Sequence, residues 1–200
     1  TYADLGRYQL AIDDYSKAIK INPDYASAYI NRGAAYNRLG KYKLAIDDHN
    51  KAININPDDA FPYINRGISY RKLGKYQLAI DDYNRALKIN PNFQEAYYGR
   101  GNTYADLGKH QLAIDDYSRA IKINPDYASA YINRGNTYIV LEKYQLAIDD
   151  YSKAININPN NASAYMNRAI AKKNLGQDYC DDLKKICELG KCDTYNKFCK

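Results

Sequence analysis

The sequence predicts an all-α fold, a solenoid of helix–turn–helix hairpins that repeats with a fixed period. Three observations carry this. Asn-Pro recurs at Asn22-Pro23, Asn56-Pro57, Asn90-Pro91, Asn124-Pro125 and Asn158-Pro159, always at the same interval. A constant period of about 34 residues marks a stacked helical repeat. Inside each period apolar residues recur at helical spacing in two runs, and a short break such as Leu39-Gly40-Lys41 separates the runs.

In the unit that begins at Ala26 the first run is Ala28, Tyr29, Gly33, Tyr36 and Leu39. The second is Tyr42, Ala45, Ile46, His49, Ala52 and Ile53. Each run predicts a helix of roughly 12–15 residues. Gly40 suits the left-handed position that ends the first helix, and Pro57 stops the second. Asp58, just after that proline, is expected to cap the next helix, as are Asp24, Asn92, Asp126 and Asn160 in the same place. Gly33, Gly67, Gly101 and Gly135 fall in mid-helix, where glycine costs about 1 kcal/mol against alanine. A cost repeated at one register predicts a helix approach too close for a side chain. Ala45, Ala79, Ala113 and Ala147 serve the same approach on the second helix, and Tyr15, Tyr83, Tyr117 and Tyr151 are expected to fill the space between layers.

The pattern Tyr29-x2-Arg32-Gly33-x2-Tyr36, followed by Ala45-x3-His49 and Pro57, resembles the tetratricopeptide repeat. The resemblance covers residues 1 to about 176. Two positions depart from the family pattern. The large aromatic near the start of the first helix is Tyr (Tyr29, Tyr63, Tyr97, Tyr131, Tyr165), and the usual Leu before the glycine is Arg (Arg32, Arg66, Arg100, Arg134, Arg168). The array reads as a truncated unit at 1–25, units at 26–59, 60–93, 94–127 and 128–161, the first helix of a last unit at 162–176, and a cysteine-bearing helical cap at 177–200. Residues 1–33 and 103–135 differ only at Arg7/Lys109, Tyr8/His110 and Lys17/Arg119, which points to duplication. Thr1 enters the repeat in mid-unit, so the chain reads as a piece of a longer array.

The resemblance implies a right-handed superhelical α-solenoid with the first helices lining a concave face. It also implies a non-catalytic interaction module that binds a peptide or helical segment of a partner protein there. The residues expected to make that contact are Arg38, Ile64, Ile68, Arg71, Lys72, Tyr98, Asn102, Ile132, Asn136 and Ile139. They vary from unit to unit and mix large apolar groups with cations. Apolar patches of this kind mark interaction sites, and the competing reading is that each Ile packs on the neighbouring first helix. The alternative function is self-assembly, as a dimer or a stacked array. The carboxylate clamp that some tetratricopeptide domains use for chaperone tails is not expected. Asn102 and Asn133 fit two of its places, but its Lys places fall on Tyr98 and Ser163 and its Arg place on Asn167.

Charge and composition narrow the classes further. The net charge is +6, and it is uneven. Residues 60–93 set six cations against Asp81 and Asp82, whereas residues 94–127 are slightly acidic. This is local basicity without the continuous stripe of a dedicated nucleic-acid binder. The repeated Arg invites two readings, a guanidinium ladder that grips phosphate, or internal pairing with the Asp pair of every second helix (Asp13-Asp14 to Asp149-Asp150). Pairing is favoured, because Arg suits partly buried ion pairs. His49 and His110 replace a Tyr of other units and read as core variants. No nucleophile–base set, phosphate loop or zinc-finger spacing appears, so no catalytic residue, metal or cofactor is expected. No apolar run approaches the roughly 20 residues of a membrane span.

All four cysteines lie after Gly176. With Leu189-Gly190-Lys191 as the turn of a hairpin, Cys187 faces Cys192 and Cys180 faces Cys199, which suggests two nested disulfides. Free buried thiols and a four-thiolate metal site are the alternatives, and the spacing lacks the short pairs typical of zinc. Disulfides would place the chain outside the cytoplasm, and free thiols inside it. Asp181, Asp182, Lys184 and Lys185 are expected to form the polar outer face that a terminal repeat needs.

Overall fold

The computed structural model describes residues 5–190 and 199. Among them every regular element is an α-helix: α1 Leu5–Ile21, α2 Ala26–Arg38, α3 Tyr42–Ile55, α4 Ala60–Lys72, α5 Tyr76–Ile89, α6 Gln94–Asp106, α7 His110–Ile123, α8 Ala128–Val140, α9 Tyr144–Ile157, α10 Ala162–Asn174 and α11 Cys180–Glu188. The chain forms two compact units, Thr1–Thr103 and Tyr104–Lys200. In the first, α2 pairs with α3 and α4 with α5, while α1 packs on α2 and α3 on α4. In the second, α8 pairs with α9 and α10 with α11, while α7 packs on α8 and α9 on α10. Both units are therefore runs of the expected hairpin.

The Asn-Pro dipeptides have a local cause. The Asn22 side-chain oxygen accepts from the backbone N–H of Asp24 at 3.1 Å, and Asn56, Asn90, Asn124 and Asn158 accept from Asp58, Asn92, Asp126 and Asn160 in the same way. Asn closes an Asx turn over a proline that cannot continue the helix. That turn uses the residue after the proline and corrects the expectation that Asp24, Asp58, Asn92, Asp126 and Asn160 cap the next helix. The cap falls one residue later. Asp59 accepts from the N–H of Phe61 and Asn161 from that of Ala164, whereas Tyr25 and Tyr127 occupy the same place with no side-chain cap bond.

Inside each hairpin the turn needs a left-handed residue. Gly40, Gly74, Gly108 and Gly176 supply it with φ between +68° and +71°. Glu142 stands there in the remaining hairpin, with φ +56°, a conformation that costs a non-glycine residue about 1–2 kcal/mol.

The core is an aromatic ring set beneath a glycine. Tyr83 is fully buried between α4 and α6. A Cβ built on Gly67 would stand 2.9 Å from its ring, and one on Gly99 would stand 2.6 Å away. Tyr151 lies beneath Gly135 with the corresponding distance 2.8 Å. Ala79, Ala86, Ala147 and Ala154 flank these rings with no exposure at all. Tyr15 differs from its counterparts: it is half-buried, lining a cleft between α1 and α2.

The last hairpin keeps the architecture with different side chains. Arg168 pairs with Asp182 at a sequence separation of 14, where earlier units use a separation of 16. Ala169 replaces the glycine, and Leu183 replaces the tyrosine; both are 3% exposed and share one apolar cluster. α11 thus stands in the second-helix place. Asp182 is 1% exposed, which corrects its assignment to a polar outer face. Asp181 and Lys184 are exposed. Cys180 is bonded to Cys199 with a Cα–Cα distance of 5.7 Å, and Cys199 packs against the Leu183 cluster. Cys187 is also disulfide-bonded. Its expected pairing with Cys192 lies outside the described residues.

His49 takes the tyrosine place beneath Gly33. It is fully buried, and neither ring nitrogen has a hydrogen-bond partner among the described residues. Burial, and secondarily the charge of Arg66, lowers its pKa to about 3. The folded chain therefore keeps His49 neutral through mild acid, while the unfolded chain takes up the proton below about pH 6.5. Stability falls as pH drops from about 6.5 towards 3, by about 1.4 kcal/mol per unit. Urea melts at pH 7 and pH 5 should show the native chain losing about 2 kcal/mol more than His49→Tyr, which restores the ring of the other units. Equal losses would contradict a buried neutral imidazole.

Candidate partner-binding surfaces

The repeated Arg is bound internally. Arg32 Nε donates to Asp48 Oδ2 at 2.8 Å and its Nη2 to Oδ1 at 2.7 Å. Arg66 holds Asp82 and Arg134 holds Asp150 through the same two-pronged bond, and Arg168 holds Asp182. The remaining Nη1 reaches back to the preceding second helix, to Ser16, Asn50, Ser118 and Ser152. Each guanidinium also lies over the tyrosine three residues before it, at 5.5–5.7 Å for Tyr29, Tyr63, Tyr97, Tyr131 and Tyr165. A guanidinium tied on three sides has no free edge for phosphate. Hydrogen bonding to Asp150 raises Arg134 above its usual pKa, while burial pushes Asp82 and Asp150 up despite their partners. Desolvation thus consumes much of the Coulombic gain, and the geometry fixes register more than it adds stability.

The expected contact residues sort differently once packed. In the first unit Ile64 is 5% exposed and belongs to the core around Tyr83, so it is removed from the surface set. Ile68 is half-buried against the same core. Both pack inward because α4 lies directly over α5 and α3. Arg38 and Lys72 are exposed at the ends of α2 and α4, and Arg71, Tyr98 and Asn102 are half-buried. In the second unit Ile132 packs against two apolar clusters, whereas Asn136 is exposed and Ile139 half-buried.

Asn136 and Ile139 meet in one cleft. It holds about 140 Å³ between α8 and α10 and is lined by Asn136, Ile139, Tyr151, Asn167 and Ile170. Two donors converge on Asn136 Oδ1, the Tyr151 hydroxyl at 2.8 Å and Asn167 Nδ2 at 2.9 Å. The oxygen is saturated, and the Asn136 side-chain NH2 has no hydrogen-bond partner among the described residues. Ile170, 45% exposed, lines the cleft with apolar surface. The arrangement offers a fixed amide donor beside apolar walls, which suits a backbone carbonyl and a neighbouring apolar side chain. Asn167 and Tyr151 were not expected here. The signal available was the spacing of Asn136 and Tyr151, a separation of 15 across one hairpin, which the Arg–Asp register makes a contact.

Among the described residues no group of three or more His, Cys, Asp or Glu is placed to hold a metal ion, and no helix is long and apolar enough to cross a membrane.

Comparison with known proteins gives one family. The tetratricopeptide repeat matches residues 26–59, 60–93, 95–127 and 128–161, and a second repeat description of the same kind matches residues 1–40. A search of curated proteins found no match. Among solved structures the chain is similar to the MamA protein, with 26% identity and a TM-score of 0.70 over 88% of this chain and 96% of that one. It is similar in fold to YrrB, described as a TPR protein with an unusual peptide-binding site (20% identity, TM-score 0.67, 90% and 94% covered). The same holds for TTC0263, a thermophilic TPR protein of Thermus thermophilus (22% identity, TM-score 0.73, 84% and 91% covered).

If the Arg–Asp pair sets register at little net gain, its two halves must be strongly coupled. Arg134→Leu or Asp150→Leu alone should destabilise the chain by about 3 kcal/mol, because each strands a largely buried charge. The double variant should cost less than either single change in a denaturant-melt cycle. Costs that simply add would contradict the assignment.

Proposed function

The chain belongs to the tetratricopeptide repeat family, a family of protein-interaction scaffolds that is generally non-catalytic, and on that footing we propose that it binds an extended or helical segment of a partner protein along its first helices. The observation that carries the reading is Asn136. Its oxygen is held by Tyr151 and Asn167, so its amide donor is preorganised between Ile139 and Ile170 in an open cleft. A donor already immobilised loses little entropy when a partner arrives. Exposed Arg38 and Lys72 on the first unit favour carboxylates in a segment bound there. YrrB carries a peptide-binding site on the same fold, and the residues proposed here come from this chain alone.

The reading includes no chaperone-tail clamp, since Tyr98, Ser163 and Asn167 occupy the places of its cations. The Cys180–Cys199 bond supports maturation in an oxidising compartment.

Selection from a peptide display library tests the site. Peptides chosen on the native chain should lose at least tenfold in affinity on Asn136→Ala and on Ile170→Glu, with the far-UV circular dichroism of both native. The exposed Ile170→Glu should keep the native melt, whereas Asn136→Ala should cost about 1–3 kcal/mol because it strands the buried Tyr151 hydroxyl. Retention of affinity by both variants would move recognition off the first helices of the second unit.

A further inference from the structure

The turns inside the hairpins differ in charge. Residues 37–43 carry Arg38, Lys41 and Lys43, and residues 71–77 carry Arg71, Lys72 and Lys75, with no carboxylate in either stretch. The matching stretches 105–111 and 139–145 each set one Lys against one carboxylate, Lys109 against Asp106 and Lys143 against Glu142. Lys41 and Lys75 therefore belong to the repeat. Arg38 and Lys72 stand where those other stretches have Asp106 and Val140, and Lys43 where they have Gln111 and Gln145. Both basic turns open on one edge of the first unit. Asn37 Nδ2 donates to the Asn65 carbonyl at 3.0 Å, and the Ser69 hydroxyl donates to Asn37 Oδ1 at 2.6 Å, so the C-terminal ends of α2 and α4 lie side by side. The backbone N–H of Lys41 donates to the Tyr36 carbonyl at 2.9 Å and that of Lys75 to the Tyr70 carbonyl at 2.8 Å, which fixes where each turn presents its cation. Arg38, Lys41, Lys43, Lys72 and Lys75 are all exposed, and among the described residues none of the five forms an ion pair. The helix dipole accounts for cations in the last turns of α2 and α4. It works against Lys43, which sits in the first turn of α3, so local stability does not explain that residue.

We propose that this edge binds an acidic segment of a partner protein, a run of Asp and Glu laid across the two turns. The proposal rests on the reading that the chain holds a segment of a partner, and it adds the chemistry that the first unit selects. Charge complementarity specifies the occupant. Five exposed cations with no internal counter-charge set up a local positive potential, which steers and selects an anionic partner more than it tightens the complex. Lysine ammonium groups are mobile point charges, so they suit carboxylates at varied spacing. An extended segment rises about 3.3 Å per residue, and about ten residues reach from one turn to its neighbour. A nucleic acid fits less well. Its phosphates follow one another without a break and call for a continuous basic stripe, whereas the excess of cations is confined to these two turns, and the next one along the chain carries Asp106.

The probe is a capped, fluorophore-labelled peptide of about ten residues that alternates Glu and Gly, read by anisotropy against the full chain. Binding should be saturable at about 20 mM salt and at least tenfold weaker at about 200 mM. At the lower salt the triple variant Lys41→Gln/Lys43→Gln/Lys75→Gln should bind at least tenfold more weakly, with its thermal melt unchanged because all three side chains are exposed. Lys109→Gln/Lys143→Gln, which removes the repeat's own Lys from the balanced turns, should leave affinity within about twofold. Peptides that depend on the Asn136 cleft should bind the triple variant as they bind the native chain, so a failure at this edge and a failure at that cleft are read separately. Absence of saturable binding at the lower salt, or equal losses in the two variants, would overturn the proposal. So would an oligothymidylate of the same length, or phosphatidylserine vesicles, that bind more tightly than the peptide and are lost on the triple variant, because either outcome assigns the edge to phosphate.

Discussion

The close seating of an aromatic ring under a glycine is the constraint on which the rest of the structure depends. With a Cβ on Gly135 standing 2.8 Å from the Tyr151 ring, no residue but glycine lets the first helix lie that near the second. That distance brings Arg134 within reach of Asp150 and buries the flanking alanines completely. The last hairpin shows the rule by its exception. There Ala169 replaces glycine only where Leu183 replaces tyrosine, so the pair changes together and the Arg168–Asp182 contact survives. His49 under Gly33 is a second solution, a ring with the right bulk and two buried nitrogens without partners among the described residues.

Residues engaged in this packing are fixed by it, and function falls to those that are not. Arg, although charged and repeated, belongs to the fixed set because its donors are consumed within and between hairpins. Asn136 belongs to the other set. It directly follows Gly135, faces open space, and is oriented by neighbours that pack for their own reasons. A scaffold of this kind can present different side chains from the same backbone without disturbing its core.

Much of the fold was legible in the sequence because its signals are periodic. The Asn-Pro spacing, the two apolar runs and the mid-helix glycines each translate into geometry by one physical step. The helix caps were misplaced by one residue because the Asn side chain holds the residue after the proline in an Asx turn, so the helix is capped from the next residue, as Asp59 does for Phe61. Asp182 was misread because α11 starts late and lacks the first turn that precedes the Asp pair in the other second helices: residues 175–179 separate it from α10, where only 141–143 separate α8 from α9. The Arg-to-Asp separation falls there from 16 to 14, which takes Asp181-Asp182 out of the register of the repeat although the Asp pair itself is intact. Ile64 was misread because a surface set chosen by variability cannot tell an apolar residue that turns inward from one that does not. Cooperation among Asn136, Tyr151 and Asn167 was illegible for a different reason: it joins three helices, and each residue alone is ordinary.

The most direct test of the packing rule is the sign of Gly135→Ala in two backgrounds. By helix propensity alone alanine should stabilise α8 by about 1 kcal/mol. Beneath an intact Tyr151 the account predicts the opposite, a loss of about 1–2 kcal/mol in a denaturant melt as the ring is forced aside. With Tyr151→Leu already in place, the same change should become stabilising, as the Ala169–Leu183 pair implies. A stabilising Gly135→Ala in the native background would contradict the claim that the ring dictates the glycine.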